Sequence, residues 1–141
     1  MGYSAIRMAR HLKEGQRVTC IELKEDMART ARSNIEMAGL SRHVEVLVGD
    51  AKSVLPTLQG SYDMVFLDAV KNEYLTYLQM CEKLLHSGSV VVADNVKSFR
   101  EDVAPYLDYV RNSGRYKSTY HESPSNYGPD EGDAVEVSVL L

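Results

Sequence analysis

Residues 63–75 read Asp63-Met64-Val65-Phe66-Leu67-Asp68-Ala69-Val70-Lys71-Asn72-Glu73-Tyr74-Leu75. An apolar run stops at the carboxylate of Asp68. A run from Glu73 to Leu85 follows, with Tyr77, Met80, Cys81, Leu84 and Leu85 on one side of a helix. A short strand, from Tyr62 to Leu67, that hands over to an amphipathic helix is half of a βαβ unit. The same stretch places Lys71 three residues beyond the acid that ends the strand.

The pattern extends in both directions. Upstream, residues 4–13 read as a short helix, Arg17 to Ile21 as a strand ending at Glu22, and Lys24 to Ala38 as a helix stopped by Gly39. Val44 to Val48 is a second strand, followed by Gly49-Asp50 and a short helix from Lys52 to Leu58 that Pro56 weakens. Downstream, Ser89 to Ala93 is a β-branched strand ending in Asp94-Asn95, and residues 101–112 form another helix. Arg115 to Tyr120 and Ala134 to Leu140 are closing strands around a polar loop, Ser123 to Gly132. Alternating strands and helices predict a mostly parallel sheet. The last two strands have no helix between them, which predicts an antiparallel hairpin at one edge. The expected architecture is a three-layer Rossmann-like α/β fold in a single domain, residues 1–141.

Bulk composition narrows the function. The chain has 141 residues, 44% hydrophobic and 26% charged, which suits one soluble globular domain. A net charge of −4 with scattered basic residues argues against a nucleic-acid partner. No run approaches the roughly 18 apolar residues of a membrane span, and no signal peptide opens the chain. Cys20 and Cys81, the two cysteines, read as free buried thiols in a reducing cytoplasm. The four histidines show no zinc-like pairing.

In an open parallel sheet, ligands sit beyond the carboxyl ends of the strands, and here those ends carry acids. Glu22 follows Gly2 by twenty residues, where a carboxylate can accept hydrogen bonds from the hydroxyls of an adenosine ribose. It reads equally well as a solvated acid in a polar loop. Asp68 and Asp94-Asn95 would emerge from neighbouring strands about 4.8 Å apart, within reach of one cation. Two carboxylates and an amide oxygen suit Mg²⁺; each acid could instead cap the helix that follows it. Lys71, near a helix start and beside such an ion, would have its charged form destabilised and could act as a base. The alternative is an ordinary solvated lysine.

Taken together, MGYSAIRMAR, CIEL, LVGDAKSVLPTL, DMVFLDAVKNEYL, GSVVVADNV and YLDYVR resemble, in order and spacing, the catechol O-methyltransferase family. The resemblance runs to about Arg115. It implies a Rossmann-like methyltransferase fold and transfer of a methyl group from S-adenosylmethionine to a catechol hydroxyl. Gly2, Tyr3 and Ser4 match the end of the family's glycine-rich cofactor turn. Glu22 matches the ribose-binding acid, and Gly49, Asp50 and Ala51 match the loop beside the adenine, where the family has serine at the position of Ala51. Asp68, Asp94 and Asn95 match the Mg²⁺ ligands, and Lys71 the general base. Asp68 also belongs to the cofactor set, and Asp68, Lys71 and Asn95 to the substrate set.

Three departures qualify the resemblance. The chain starts at Met1-Gly2-Tyr3, inside the cofactor turn, without the family's N-terminal helices and first strand. That reading predicts a gap or exposed edge in the sheet, closed by neighbouring strands or by another chain unless the sequence is a fragment, and with it self-association or weakened cofactor binding. The family's His-Trp is Ala69-Val70 here, and the chain contains no tryptophan. The glutamate that meets the second catechol hydroxyl has no clean match; Glu122 is the candidate, with Asp130 and Glu131 nearby. Competing functions are a caffeoyl-CoA-type O-methyltransferase and a truncated, non-catalytic cofactor-binding or assembly module. A dinucleotide-dependent dehydrogenase is disfavoured, because no GxGxxG is present and it leaves Asp68, Lys71 and Asp94-Asn95 without a task.

Overall fold

Two apolar strands from the middle of the sequence, Met64–Leu67 and Val90–Ala93, pair in parallel with Leu67 opposite Ala93. This pairing comes from a computed structural model, which describes residues 1–123 and 132–141. Most of the loop Ser123 to Gly132, including Asp130 and Glu131, lies outside the described residues. The chain divides into two compact units, Met1–Thr57 and Leu58–Leu141.

In the first unit, helix α1 (Tyr3–Ala9) leads to strand β1 (Val18–Glu22), helix α2 (Glu25–Met37), strand β2 (Val44–Val48) and a short helix α3 (Ala51–Val54). A 3₁₀ turn at Leu55–Thr57 accommodates Pro56. β1 and β2 form a two-stranded parallel sheet, Val18 opposite Val44 and Glu22 opposite Val48. α2 buries Ala28, Ala31 and Ile35, a helical-period stripe, against Val46 of β2. Gly2 begins α1 with φ 79, and a Cβ there would meet Ala31 at 3.4 Å, so glycine suits both the backbone and the close approach.

In the second unit, strand β3 (Met64–Leu67), helix α4 (Tyr74–Cys81), strand β4 (Val90–Ala93), helix α5 (Ala104–Asn112), strand β5 (Tyr116–Ser123) and strand β6 (Asp133–Leu140) follow one another. The sheet order is β3-β4-β6-β5. β4 pairs antiparallel with β6, and β6 with β5, so the closing hairpin sits at the edge as predicted. The core holds Leu78, Val91, Val103 and Val110, none of them exposed. Tyr74 of α4 meets Tyr106 of α5 edge-to-face, ring centroids 5.9 Å apart.

The sequence reading expects a gap or an exposed edge in the sheet; among the described residues the strands pair as two sheets, β1-β2 and β3-β4-β6-β5. Both cysteines are free, with Cys81 buried and Cys20 half-buried. Among the described residues, no helix is long and apolar enough to cross a membrane.

Candidate active site

In the second unit the parallel register carries β3 and β4 to the same end, so Asp68 and Asp94 are the next residues on neighbouring strands. The Asp94 amide donates to the Leu67 carbonyl at 3.0 Å, continuing the pairing one step past both strands. A 3₁₀ turn, Lys71–Glu73, then turns the chain toward α4 and brings Lys71 back over the strand ends.

Lys71 is the hub. Its Nζ donates to Asp68 Oδ1 at 2.9 Å, Asn95 Oδ1 at 2.8 Å and the Tyr74 hydroxyl at 2.8 Å. Tyr74 in turn donates to the Asp94 carbonyl at 3.1 Å. The Phe99 ring centroid lies 5.6 Å from the ammonium, within cation–π range. Burial lowers the Lys71 pKa, but hydrogen bonds to Tyr74 and Asp68 outweigh it and the net shift is upward. Three oxygens hold the proton on the amine and favour its charged form.

Asp68 and Asn95 direct one oxygen each at a single positive charge, and Asp94 stands beside them. These are the hard oxygen donors that Mg²⁺ takes. One Asp94 carboxylate oxygen accepts from the Asn95 backbone N–H at 2.8 Å. No trio of His, Cys, Asp or Glu forms a ready-made cage among the described residues, so any such site depends on the Asn95 oxygen.

Asp133 is a residue that the sequence reading missed. Its Oδ2 accepts from Asn95 Nδ2 at 2.9 Å. Its Oδ1 accepts from the amides of Lys97, Ser98 and Ala134 at 3.3, 3.2 and 2.7 Å. Burial raises the Asp133 pKa, but the donors from Asn95, Ser98 and Ala134 win and hold it down at about 2. Glu122 is not among the groups on Lys71. Its Oε1 lies 3.7 Å from Lys97 Nζ and accepts from the Tyr120 hydroxyl at 3.3 Å.

In the first unit, Gly49 donates its amide to the Glu22 carbonyl at 3.0 Å, which sets the end of β1 beside the loop after β2. Gly49 has φ 149, and a Cβ there would press on Val54 at 3.0 Å. The Glu22 carboxylate accepts from the Lys24 amide at 3.0 Å, and Asp50 caps α3 by accepting from the Lys52 amide at 2.9 Å. Glu22 thus bonds to the polar loop after β1, the alternative the sequence also allows it, and each acid has a second oxygen beyond that bond. Tyr3 is exposed and Ser4 half-buried at the start of α1, and Ala51 opens α3.

The chain matches the O-methyltransferase family over residues 1–111. It is 39% identical over 147 residues to catechol O-methyltransferase B of Danio rerio, covering 99% of this chain and 54% of that protein. It is 38% identical over 133 residues to catechol O-methyltransferase of Bos taurus, covering 89% of this chain and 48% of that protein. The chain thus spans about half the length of these curated relatives. The structure of an O-methyltransferase from Bacillus cereus in complex with SAH superposes with a TM-score of 0.90 at 29% identity, covering 99% of this chain and 70% of that one. The ordered strand-end acids, the lysine between them and these matches agree: the chain has a Rossmann-like methyltransferase fold and belongs to the catechol O-methyltransferase family.

Proposed function

We propose that this chain carries the binding and catalytic residues of an S-adenosylmethionine-dependent, Mg²⁺-dependent catechol O-methyltransferase. The observation that carries the reading is the convergence of Asp68 and Asn95 on Lys71 at 2.9 and 2.8 Å, with Asp94 on the adjoining strand. The named catechol O-methyltransferases among its relatives support the substrate class, and the SAH complex supports the cofactor.

Asp68, Asp94 and Asn95 would hold Mg²⁺, which when bound would supply Lewis-acid activation of a catechol hydroxyl. Lys71 accepts the hydroxyl proton. To do so it must first shed the proton that Asp68, Asn95 and Tyr74 stabilise. The methyl donor, when bound, would supply its sulfonium methyl carbon to the deprotonated oxygen, the electron pair of the broken carbon–sulfur bond staying on sulfur as the neutral thioether. Gly2, Tyr3, Ser4, Glu22, Gly49, Asp50 and Ala51, with Asp68, would bind the methyl donor, Glu22 taking the ribose hydroxyls. Holding nucleophile and methyl in line accounts for most of the rate such an enzyme can gain. A reducing cytoplasm suits the two free thiols.

The test is methyl transfer to small catechols with Mg²⁺ and with chelator, for the native chain and Asp68→Ala. Mg²⁺-dependent product from the native chain and none from the variant is expected. Unchanged turnover in Asp68→Ala would remove Asp68 from the metal site, and methylation only of bulky phenylpropanoid esters would move the substrate to the caffeoyl-CoA class. A second reading, a non-catalytic module, draws on the full engagement of the Lys71 ammonium by three oxygens. Calorimetry with S-adenosylmethionine separates the two readings; no binding up to millimolar concentrations selects the module.

A further inference from the structure

Asn95 is the one non-glycine residue with positive φ among the described residues, at 60. That left-handed turn sets its side chain between two groups of opposite demand. Lys71 has only hydrogens to give and Asp133 only lone pairs. Lys71 Nζ donates to Asn95 Oδ1 at 2.8 Å, and Asn95 Nδ2 donates to Asp133 Oδ2 at 2.9 Å. A flipped amide would set donor against donor on one side and acceptor against acceptor on the other. One orientation alone satisfies both.

We propose that Asp133 is the positioning residue that holds the Asn95 amide with its oxygen toward Lys71 and toward the cation site. The consequence for cation binding rests on the metal reading above; the amide orientation does not. Asp133 suits the task because it is itself fixed. Three backbone amides (Lys97, Ser98 and Ala134) converge on its Oδ1, so only Oδ2 faces Asn95. β6 enforces the placement: it pairs antiparallel with β4, Ala93 opposite Glu136, and the Val96 amide donates to the Ala134 carbonyl at 3.0 Å. The first residue of β6 is thereby set across from the turn that follows β4.

This arrangement makes an isosteric substitution informative. In Asp133→Asn the three backbone amides still require an acceptor, so the new amide oxygen takes the Oδ1 place and its NH₂ faces Asn95. Asn95 then reverses to meet it and presents its own NH₂ to Lys71 and to any cation. The double variant Asn95→Asp/Asp133→Asn restores an oxygen on both sides with the net charge unchanged.

The experiment has two arms. Free Mn²⁺ measured by electron paramagnetic resonance gives cation affinity without turnover. Side-chain amide NMR gives the orientation of Asn95, through proximity of its NH₂ protons to the Asp133 β-protons or to the Tyr74 ring. In the native chain the NH₂ protons lie near Asp133. In Asp133→Asn, Mn²⁺ affinity falls by roughly tenfold or more, the size expected for loss of an outer partner of a ligand, and the double variant recovers most of it. Native affinity in Asp133→Asn overturns the proposal, and so does an NH₂ near Tyr74 in the native chain. Should the native chain take up no Mn²⁺, the metal reading fails and the NMR arm alone decides the role of Asp133. Should Asp133→Asn fail to fold, the native-chain spectrum and the double variant decide it.

Discussion

The hydroxyl of Tyr74 accepts a hydrogen bond from the Lys71 ammonium at 2.8 Å and donates one to the Asp94 carbonyl at 3.1 Å. One fully buried phenol therefore connects the amine to the end of β4. Its ring is fixed from behind by Tyr106. Tyr74→Phe keeps that packing and removes both bonds. Stability should fall by about 0.5–1.5 kcal/mol, the net worth of a typical hydrogen bond. Turnover with a catechol at saturation should fall roughly tenfold. Denaturant titration and steady-state kinetics check the two parts, and an unchanged kcat would show that Tyr74 serves packing alone.

Glu136 on β6 is 1% exposed, and Arg111 of α5 grips it with Nε at 2.8 Å and Nη2 at 2.6 Å. A bidentate guanidinium is what makes a carboxylate tolerable on the buried face of a sheet. Arg111→Met would leave that charge unpaired. The penalty for breaking a buried pair runs to about 3–5 kcal/mol. Arg111 is itself partly solvated, with a side chain 42% exposed, so about 2–3 kcal/mol is expected here. Chemical denaturation checks this; a loss below the level of a surface ion pair would mean that water already reaches Glu136.

His86 offers a pH test remote from the strand ends. Its ring meets the Ser87 carbonyl at 2.9 Å and Asp63 Oδ1 at 3.0 Å. The Ser87 carbonyl first, and then Asp63, raise its pKa. A raised folded-state pKa adds stability that is fully present below the unfolded value, near 6.5, and lost as pH rises through the folded value. NMR titration should place the native pKa above the ordinary one. Asp63→Asn should lower it without returning it to the ordinary value, because the carbonyl remains. A rise in the variant would contradict the assignment.

β1 and β3 each carry an unpaired edge among the described residues, and Met64 at the start of β3 is 43% exposed. Bare strand edges recruit other strands. Light scattering at rising concentration should show particles heavier than a monomer, and Met64→Lys should reduce them. A monomer at every concentration would dispose of the idea.

What the residues alone revealed tracks how local each cause is. β2, Val44–Val48, falls where its β-branched alternation places it. The expected strand from Tyr62 begins instead at Met64, because the Tyr62 amide is tied to the Leu84 carbonyl at 2.8 Å. The helix expected over Glu73 to Leu85 is regular only from Tyr74 to Cys81, and Glu82–Leu84 tightens to 3₁₀. There the Glu82 carboxylate binds Tyr109, Tyr116 and Arg115, partners 27 to 34 residues away. The helix expected from residue 101 starts at Ala104 with proline in its first turn, a local signal that was present and missed.

The strand-end acids and Lys71 were legible because one parallel crossover fixes their neighbourhood. Asp133 was not. Its link to Asn95 spans 38 residues and exists only because β6, rather than β5, lies against β4. Nothing in the alternation of apolar residues distinguishes those two orders.

That interleaving has a temporal side. β6 leaves the ribosome after β3, β4 and β5, yet it lies between two of them. Until it emerges, the nascent chain holds β4 with one flank bare and Asn95 with no carboxylate to steady it. Chaperone demand should peak in that interval, and the Asn95 side chain should gain its fixed orientation in one step, when β6 pairs with β4.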